Sequence, residues 1–302
     1  MRARRLGIGA IALALLGGSV SCLPADTRPP PGSILLTVAS GDEPVTTTAD
    51  GWAISVDRLL LGIGGVHLDY GTSCSRYTES GGYLRLLDGR LPDDQKLGIV
   101  YGLGRCYFGF QVFWPSSDTV LGEGVSEADR QRMEGSGGRV FHQGRTVDFS
   151  ATATRGTETK RVHWQLRQPA TYPRCFRKPP DGAPPQPIEL PGDENLTFHI
   201  VIRGTALFAD DADPATAKLR FDPIARADGI LGFFADDEVT LEELRAMSMD
   251  AVRQYGPYGV PDTMTGGPNS VPRSLEDYMY RVLLRRVAGF REDVSCDNNF
   301  GF

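Results

Sequence analysis

The chain has 302 residues, 40% of them hydrophobic and 23% charged, with 36 glycines and 21 prolines. That balance excludes a disordered or collagen-like chain and leaves room for one large globular domain or two small ones. The formal charge is −6 and no basic stripe is present, which excludes nucleic acid as a partner because phosphate neutralisation needs clustered Lys or Arg.

The first stretch, "MRARRLGIGAIALALLGGSVSC", places Arg2, Arg4 and Arg5 before an apolar run from Leu6 to Leu16 and small residues up to Cys22. This is the layout of an export signal over residues 1–21. The apolar run is shorter than the ~20 residues a membrane-spanning helix needs. Its end, "GSVSC", resembles a bacterial lipobox, in which a cysteine after small residues is diacylated on cleavage. Ser19 and Val20 depart from the usual residues, so two outcomes stay open. Either Cys22 is lipidated and the protein sits in the cell envelope, or plain cleavage releases it to the periplasm or medium. Leu23, which is not an aspartate, favours the outer membrane. Residues 22–32 form a Pro-rich tether. With the three arginines of the signal removed, the charge of −6 becomes −9.

Lipid on Cys22 leaves Cys74, Cys106, Cys175 and Cys296, an even set with no CxxC spacing. Four cysteines in an oxidising compartment read as two disulfides. Of the three connectivities, we expect Cys74 with Cys106 and Cys175 with Cys296, the second tying the last residues to the body.

Residues 33–209 read as a β-sandwich domain. "SILLTVAS", "WAISVDRLLLGIGGVHLD" and "YLRLLDG" are apolar runs bounded by Gly, Asp and Ser. In "RCYFGFQVFW" the residues Cys106, Phe108, Phe110, Val112 and Trp114 alternate onto one sheet face. "SEADRQRM" opens with a Ser126–Asp129 capping pair and predicts a short helix. "TVDFSATATRG" and "TKRVHWQLRQ" predict a hairpin in which Val162, Trp164 and Leu166 alternate with Arg161, His163 and Gln165. "LTFHIVIRGTALF" is the last strong strand. Six to eight strands at this spacing predict a mainly β fold, an antiparallel β-sandwich. Residues 210–302 change character and predict a small acidic helical segment. Within it, residues 210–243 hold ten acidic and three basic side chains. Helices are expected from Asp222, from Thr240 through Ala251, and after Ser274.

"GFFADDEVTLEELRAM" (residues 232–247) has the outline of a degenerate EF-hand. With Val239 at the apolar eighth position of the loop, Glu243 falls on the bidentate twelfth and Asp236 on the fifth, but Gly232 and Phe234 occupy positions 1 and 3 and Asp237 the glycine position. Asp228, Asp236, Asp237 and Glu243 are the candidate calcium ligands, and calcium is the one cofactor this stretch suggests. The same residues also read as a T-x-x-E capping box, Thr240 with Glu243, with Asp236 to Glu238 complementing a helix dipole.

"YGLGRCYFGF", "ATRGTETKRVHWQLRQ" and "LEELRAM", together with the terminal cysteine, resemble a group of bacterial lipoproteins of the myxobacterial type over most of residues 33–296. The resemblance implies ancestral calcium binding in the acidic segment, and it implies no activity.

Catalytic signatures are few. The histidines are His67, His142, His163 and His199, and no HExxH, P-loop or GxSxG is present. "GSGG" around Ser136 lacks the setting of a nucleophile elbow. His163 and His199 lie on outward strand faces, where a pair meeting across neighbouring strands would hold a transition metal. Asp93-Asp94 and Asp210-Asp211 read as turn carboxylates rather than a glycosidase pair. The primary expectation is a non-enzymatic, lipid-anchored envelope module that binds another envelope protein or a ligand. The alternatives are a secreted hydrolase, marked by a cleft gathering His163 or His199 with carboxylates, and a periplasmic metal carrier, marked by three convergent His or Met side chains.

Overall fold

Alternating apolar side chains decide most of the architecture. The computed structural model describes residues 29–78, 83–134, 144–178, 183–213, 215–259 and 271–299. The signal, Cys22, Ser136 and His142 lie outside the described residues. The strands are β1 (Gly32–Ser40), β2 (Thr46–Thr47), β3 (Ala53–Arg76), β4 (Arg85–Asp88), β5 (Gln95–Val112), β6 (Val120–Leu121), β7 (Val147–Arg155), β8 (Glu158–Leu166), β9 (Ala170–Arg177), β10 (Ile188–Leu190), β11 (Asn195–Ile202), β12 (Glu238–Val239), β13 (Ala288–Phe290) and β14 (Val294–Asn299).

The fold is mainly β, and one connected, curled sheet carries the described strands in the order β12-β8-β7-β3-β5-β1-β11-β13. β9 and β10 add to β5, and β14 adds to β9. Purely antiparallel pairing was expected, but the sheet is mixed: β1 runs parallel to β11, β12 to β8 and β4 to β6. Nor do the strands divide into the two separate sheets that a sandwich implies, because β3 and β5 are long enough to pair with different partners at each end. β3 pairs with β7 along its first half and with β5 along its second. Register shifts between Gly64 and His67 and between Asp69 and Ser73 bend it on the way. Gly65 sits at the first of these with φ 60°, a left-handed conformation that disfavours any Cβ.

The main apolar core lies on the inner face of the curl, and a smaller cluster of Leu60, Leu86 and Met133 packs under the helix Glu127–Glu134. Phe108, Phe110 and Trp164 are fully buried in the main core, on the strand faces that alternation assigned to them, and Phe149 of β7 joins them. The helical segment closes this core. Its helices after α1 (Glu127–Glu134) are α2 (Asp222–Ala227), α3 (Leu241–Ala246), α4 (Met249–Val252) and α5 (Leu275–Tyr278), the last continuing as a π-helical turn through Leu283. Phe208 and Phe221 stand 5.6 Å apart. Phe208 reaches Trp164 at 5.7 Å and Phe221 reaches Trp52 at 5.0 Å, so an aromatic chain links sheet to helices. Residues Pro31–Phe302 form one compact unit, and β12, β13 and β14 lie within the segment expected to be helical. The helix expected from Thr240 through Ala251 is two, because Ser248 accepts a bond from the Ala251 amide and so caps a second one.

The cysteines pair as Cys74–Cys106 and Cys175–Cys296. The second bridge sits at matched positions on β9 and β14 and ties the last strand to the sheet. Two disulfides suit an oxidising compartment. Among the described residues no helix is long and apolar enough to cross a membrane.

Candidate functional site

A cleft of about 400 Å³ opens on the outer face of β3, β7 and β8, beside α1. It forms because alternation sends Val147, Phe149 and Ala151 of β7 into the core and turns Asp148 and Ser150 the other way. Facing strands contribute Arg58 from β3 and Arg161 and His163 from β8, with Ser150 directly opposite His163 in the β7–β8 register. Arg132 of α1 and Glu238 of β12 complete the walls.

At the bottom lies Asp148, whose side chain is 1% exposed. Its Oδ2 accepts from Arg58 Nε at 2.8 Å and from Arg132 Nε at 3.4 Å, and its Oδ1 accepts from His163 Nε2 at 3.0 Å. Asp129 of α1 accepts from both of the same guanidiniums, so two arginines alternate with two carboxylates and clamp α1 to the sheet. Burial opposes the Asp129 charge, but bonds from Ser126, Arg58 and Arg132 outweigh it and hold the carboxyl below its ordinary range. Burial likewise works against the Arg58 charge and is outweighed by bonds to Asp129 and Asp148, which raise its pKa.

His163 differs from its neighbours in being 47% exposed. Its Nε2 is committed to Asp148, and Nδ1 has no hydrogen-bond partner among the described residues; nor does the Ser150 hydroxyl. The cleft therefore offers a ligand the imidazole Nδ1, the Ser150 hydroxyl and the Arg161 guanidinium, with the Asp57 carboxylate at its β3 end and Glu238, paired in register with Arg161, at its β12 end. Both charge signs are on display in a small volume.

The candidate calcium ligands are engaged by the protein itself. Asp228, 1% exposed, accepts Lys160 Nζ at 2.6 Å and the amides of Asp236 and Asp237. The ammonium also reaches Asp237 at 2.7 Å. Glu243 uses one oxygen for the Gly229 amide and the other for Thr240, in a complete capping box. Asp236 accepts the Glu238 amide. Lys160 thus stands against the buried Asp228 carboxylate, where an EF-hand would hold its ion. Among the described residues no group of three His, Cys, Asp or Glu side chains is gathered to hold a metal.

His163 and His199 do not meet. β8 and β11 are separated by β7, β3, β5 and β1, and His199 lies instead between Glu292 and Asp94, its Nε2 3.5 Å from Asp94. His67 bonds to the Gly65 carbonyl at 2.8 Å. Asp210, buried, accepts from Arg220 and the Lys218 amide and pins a turn. The sequence singled out His163, as a metal ligand, but marked Arg161 only as a polar strand position and Asp129 only as a capping residue, and gave no sign of Asp148, Arg58 or Arg132 as partners. One signal was available, since aspartate is depleted from strand interiors and Asp148 sits between Val147 and Phe149 of a strong strand.

No protein-family model, no curated protein and no solved structure matches the chain.

Proposed function

We propose that the protein is an exported, lipid-anchored envelope protein that acts as a non-enzymatic binding module, with the His163 cleft as the seat of a small polar ligand bearing both charge signs. The observation that carries the binding reading is the half-exposed His163, positioned by buried Asp148, its Nδ1 without a partner among the described residues beside Ser150 and Arg161. A buried partner that orients an exposed polar group is a pre-organised contact, which lowers the entropic cost of binding. The export signal and the two disulfides support the location. Diacylation of Cys22 is tested by the mass of the mature N-terminus, and a plain cleaved terminus would replace the anchor with free secretion. Binding is tested with a panel of zwitterionic amino acids and dipeptides, scored by the rise in Tm that a native-state ligand produces. A rise that His163→Ala and Arg161→Ala both abolish supports the cleft; a rise that survives both moves the site elsewhere.

A second reading, a secreted hydrolase, is favoured by one observation, the His163–Asp148 pair at 3.0 Å. Against it, Oδ2 of that carboxylate is already shared between Arg58 and Arg132, and the described hydrogen bonds include none between Ser150 and His163, the bond that activates a serine nucleophile. Turnover of simple esters, lost in both His163→Gln and Ser150→Ala, would establish the hydrolase instead.

A further inference from the structure

The acidic loop presents something besides its carboxylates. Leu231 is 81% exposed, Phe233 42% and Phe234 89%, three large apolar side chains within four residues. The other exposed large apolar residues among those described, such as Val45, Tyr83 and Val120, are scattered singly, as is ordinary for a soluble surface. A contiguous exposed group marks a contact surface.

The loop is held, not slack. Buried Asp228 takes the amides of Asp236 and Asp237 on one side, Glu243 takes the Gly229 amide on the other, and the Phe233 amide bonds to the Ile230 carbonyl. The backbone is bent outward at a cost: Leu231 has φ 51° and ψ 35°, the left-handed region that a branched side chain avoids, between Gly229 at φ 77° and Gly232 at φ 94°. Strain kept by a loop whose ends are tied down, and which lifts apolar side chains into water, is the pattern of a functional tip.

We propose that Leu231, Phe233 and Phe234 form a wedge that enters the interfacial layer of the membrane to which the protein is anchored. The inference rests on the anchored-envelope reading. Residues 22–32 reach at most about 40 Å even when fully extended, so a lipid on Cys22 would keep the start of β1 within that distance of the bilayer. Phenylalanine and leucine are the side chains that settle at the headgroup and acyl boundary. The charges beside the wedge choose the lipid. Asp236, Asp237 and Glu238 are all exposed, so an anionic surface repels the tip and a zwitterionic one accepts it.

The test uses the mature chain carrying Cys22→Ser, which removes the lipid, floated with phosphatidylcholine–phosphatidylethanolamine vesicles. Flotation is expected, with a loss of roughly tenfold in partitioning for each phenylalanine in Phe233→Ser and Phe234→Ser, and a further decline as phosphatidylglycerol replaces the zwitterionic lipid at low salt. Leu231→Gly is expected to weaken flotation without lowering Tm, because glycine adopts the left-handed conformation freely; a purely structural role would give the opposite. Absence of flotation, or flotation undiminished in the double phenylalanine variant, overturns the wedge and leaves these residues to a protein partner. Mass analysis of Cys22 reports on the anchor independently, so a diacylated protein whose lipid-free form ignores vesicles loses the wedge alone.

Discussion

Asp148 beneath the cleft and Asp228 beneath the acidic loop are buried to the same degree, each 1% exposed, and each is met by cations. Asp228 is completed by one ammonium and two amides of its own loop, and that ammonium, Lys160, is itself only 12% exposed. Asp148 is completed by side chains from three elements, and one of them, His163, stays half in water. A carboxylate closed off by backbone and a buried lysine fixes a loop and has no capacity left. One that is shared among side chains of separate strands and a helix hands part of its field to the surface.

The sharpest break of this comparison is removal of each carboxylate. Asp228→Ala leaves Lys160 with only the exposed Asp237 carboxylate and frees the amides of Asp236 and Asp237, a loss of about 3–5 kcal/mol. Asp148→Ala leaves Arg58 and Arg132 partly solvated and still paired with Asp129, so about 2–3 kcal/mol is expected. Urea midpoints measure both, and equal losses would mean the two sites are held alike. Glu243→Ala comes next. It removes the capping box and the Gly229 bond for about 1–2 kcal/mol, and calcium up to millimolar should leave the wild-type midpoint in place. A calcium-dependent rise that this variant lacks would mean that the acidic loop can exchange Lys160 for the ion.

pH separates the two sites from opposite ends. Asp129, which belongs to the Asp148 network, has a pKa below the ordinary 3.8: burial raises it, and the bonds from Ser126, Arg58 and Arg132 prevail. Its contribution is complete above about pH 4 and is lost as pH falls through the lowered folded value. Lys160 has a pKa above the ordinary 10.5: burial lowers it, and the bonds to Asp228 and Asp237 prevail. Its contribution is complete below about pH 10.4 and is lost as pH rises through the folded value. Asp129→Asn should flatten the acid limb of the stability profile and Lys160→Gln the alkaline limb. The smallest effect belongs to His163→Ala, within about 0.5 kcal/mol of wild type because the imidazole is half solvated. The same variant is expected to abolish the rise in Tm with the zwitterionic panel.

What could be read in advance was whatever depends on near neighbours in the chain. The alternation from Cys106 to Val112 in β5 and that in β8, the Ser126–Asp129 pair and the Thr240–Glu243 box are all local patterns, and each forms, whereas Trp114 lies beyond the end of β5 and is half-buried. β9 was hidden by Pro173 in "ATYPRCFR", and β14 by the polar run "VSCDNN". The cleft was illegible for a different reason. Asp148 looks like any outward polar residue of a strand until α1 is laid over it, and Lys160 meets Asp228 across 68 positions. Charge partners at that distance leave no periodicity to read.

The order of the strands also governs how the chain reaches this state. β1 lies beside β11, which pairs with β13, and β9 is completed by β14 and bridged to it through Cys175 and Cys296, 121 positions apart. The first strand can pair with β5 on one side, but its other side waits for residues 195–202, and the edge beside β9 waits for β14. Pairings of such separation are slow to form, since loop closure precedes any reward from contact. Folding is in this sense a whole-chain event: nothing built from the first half alone has a complete sheet edge.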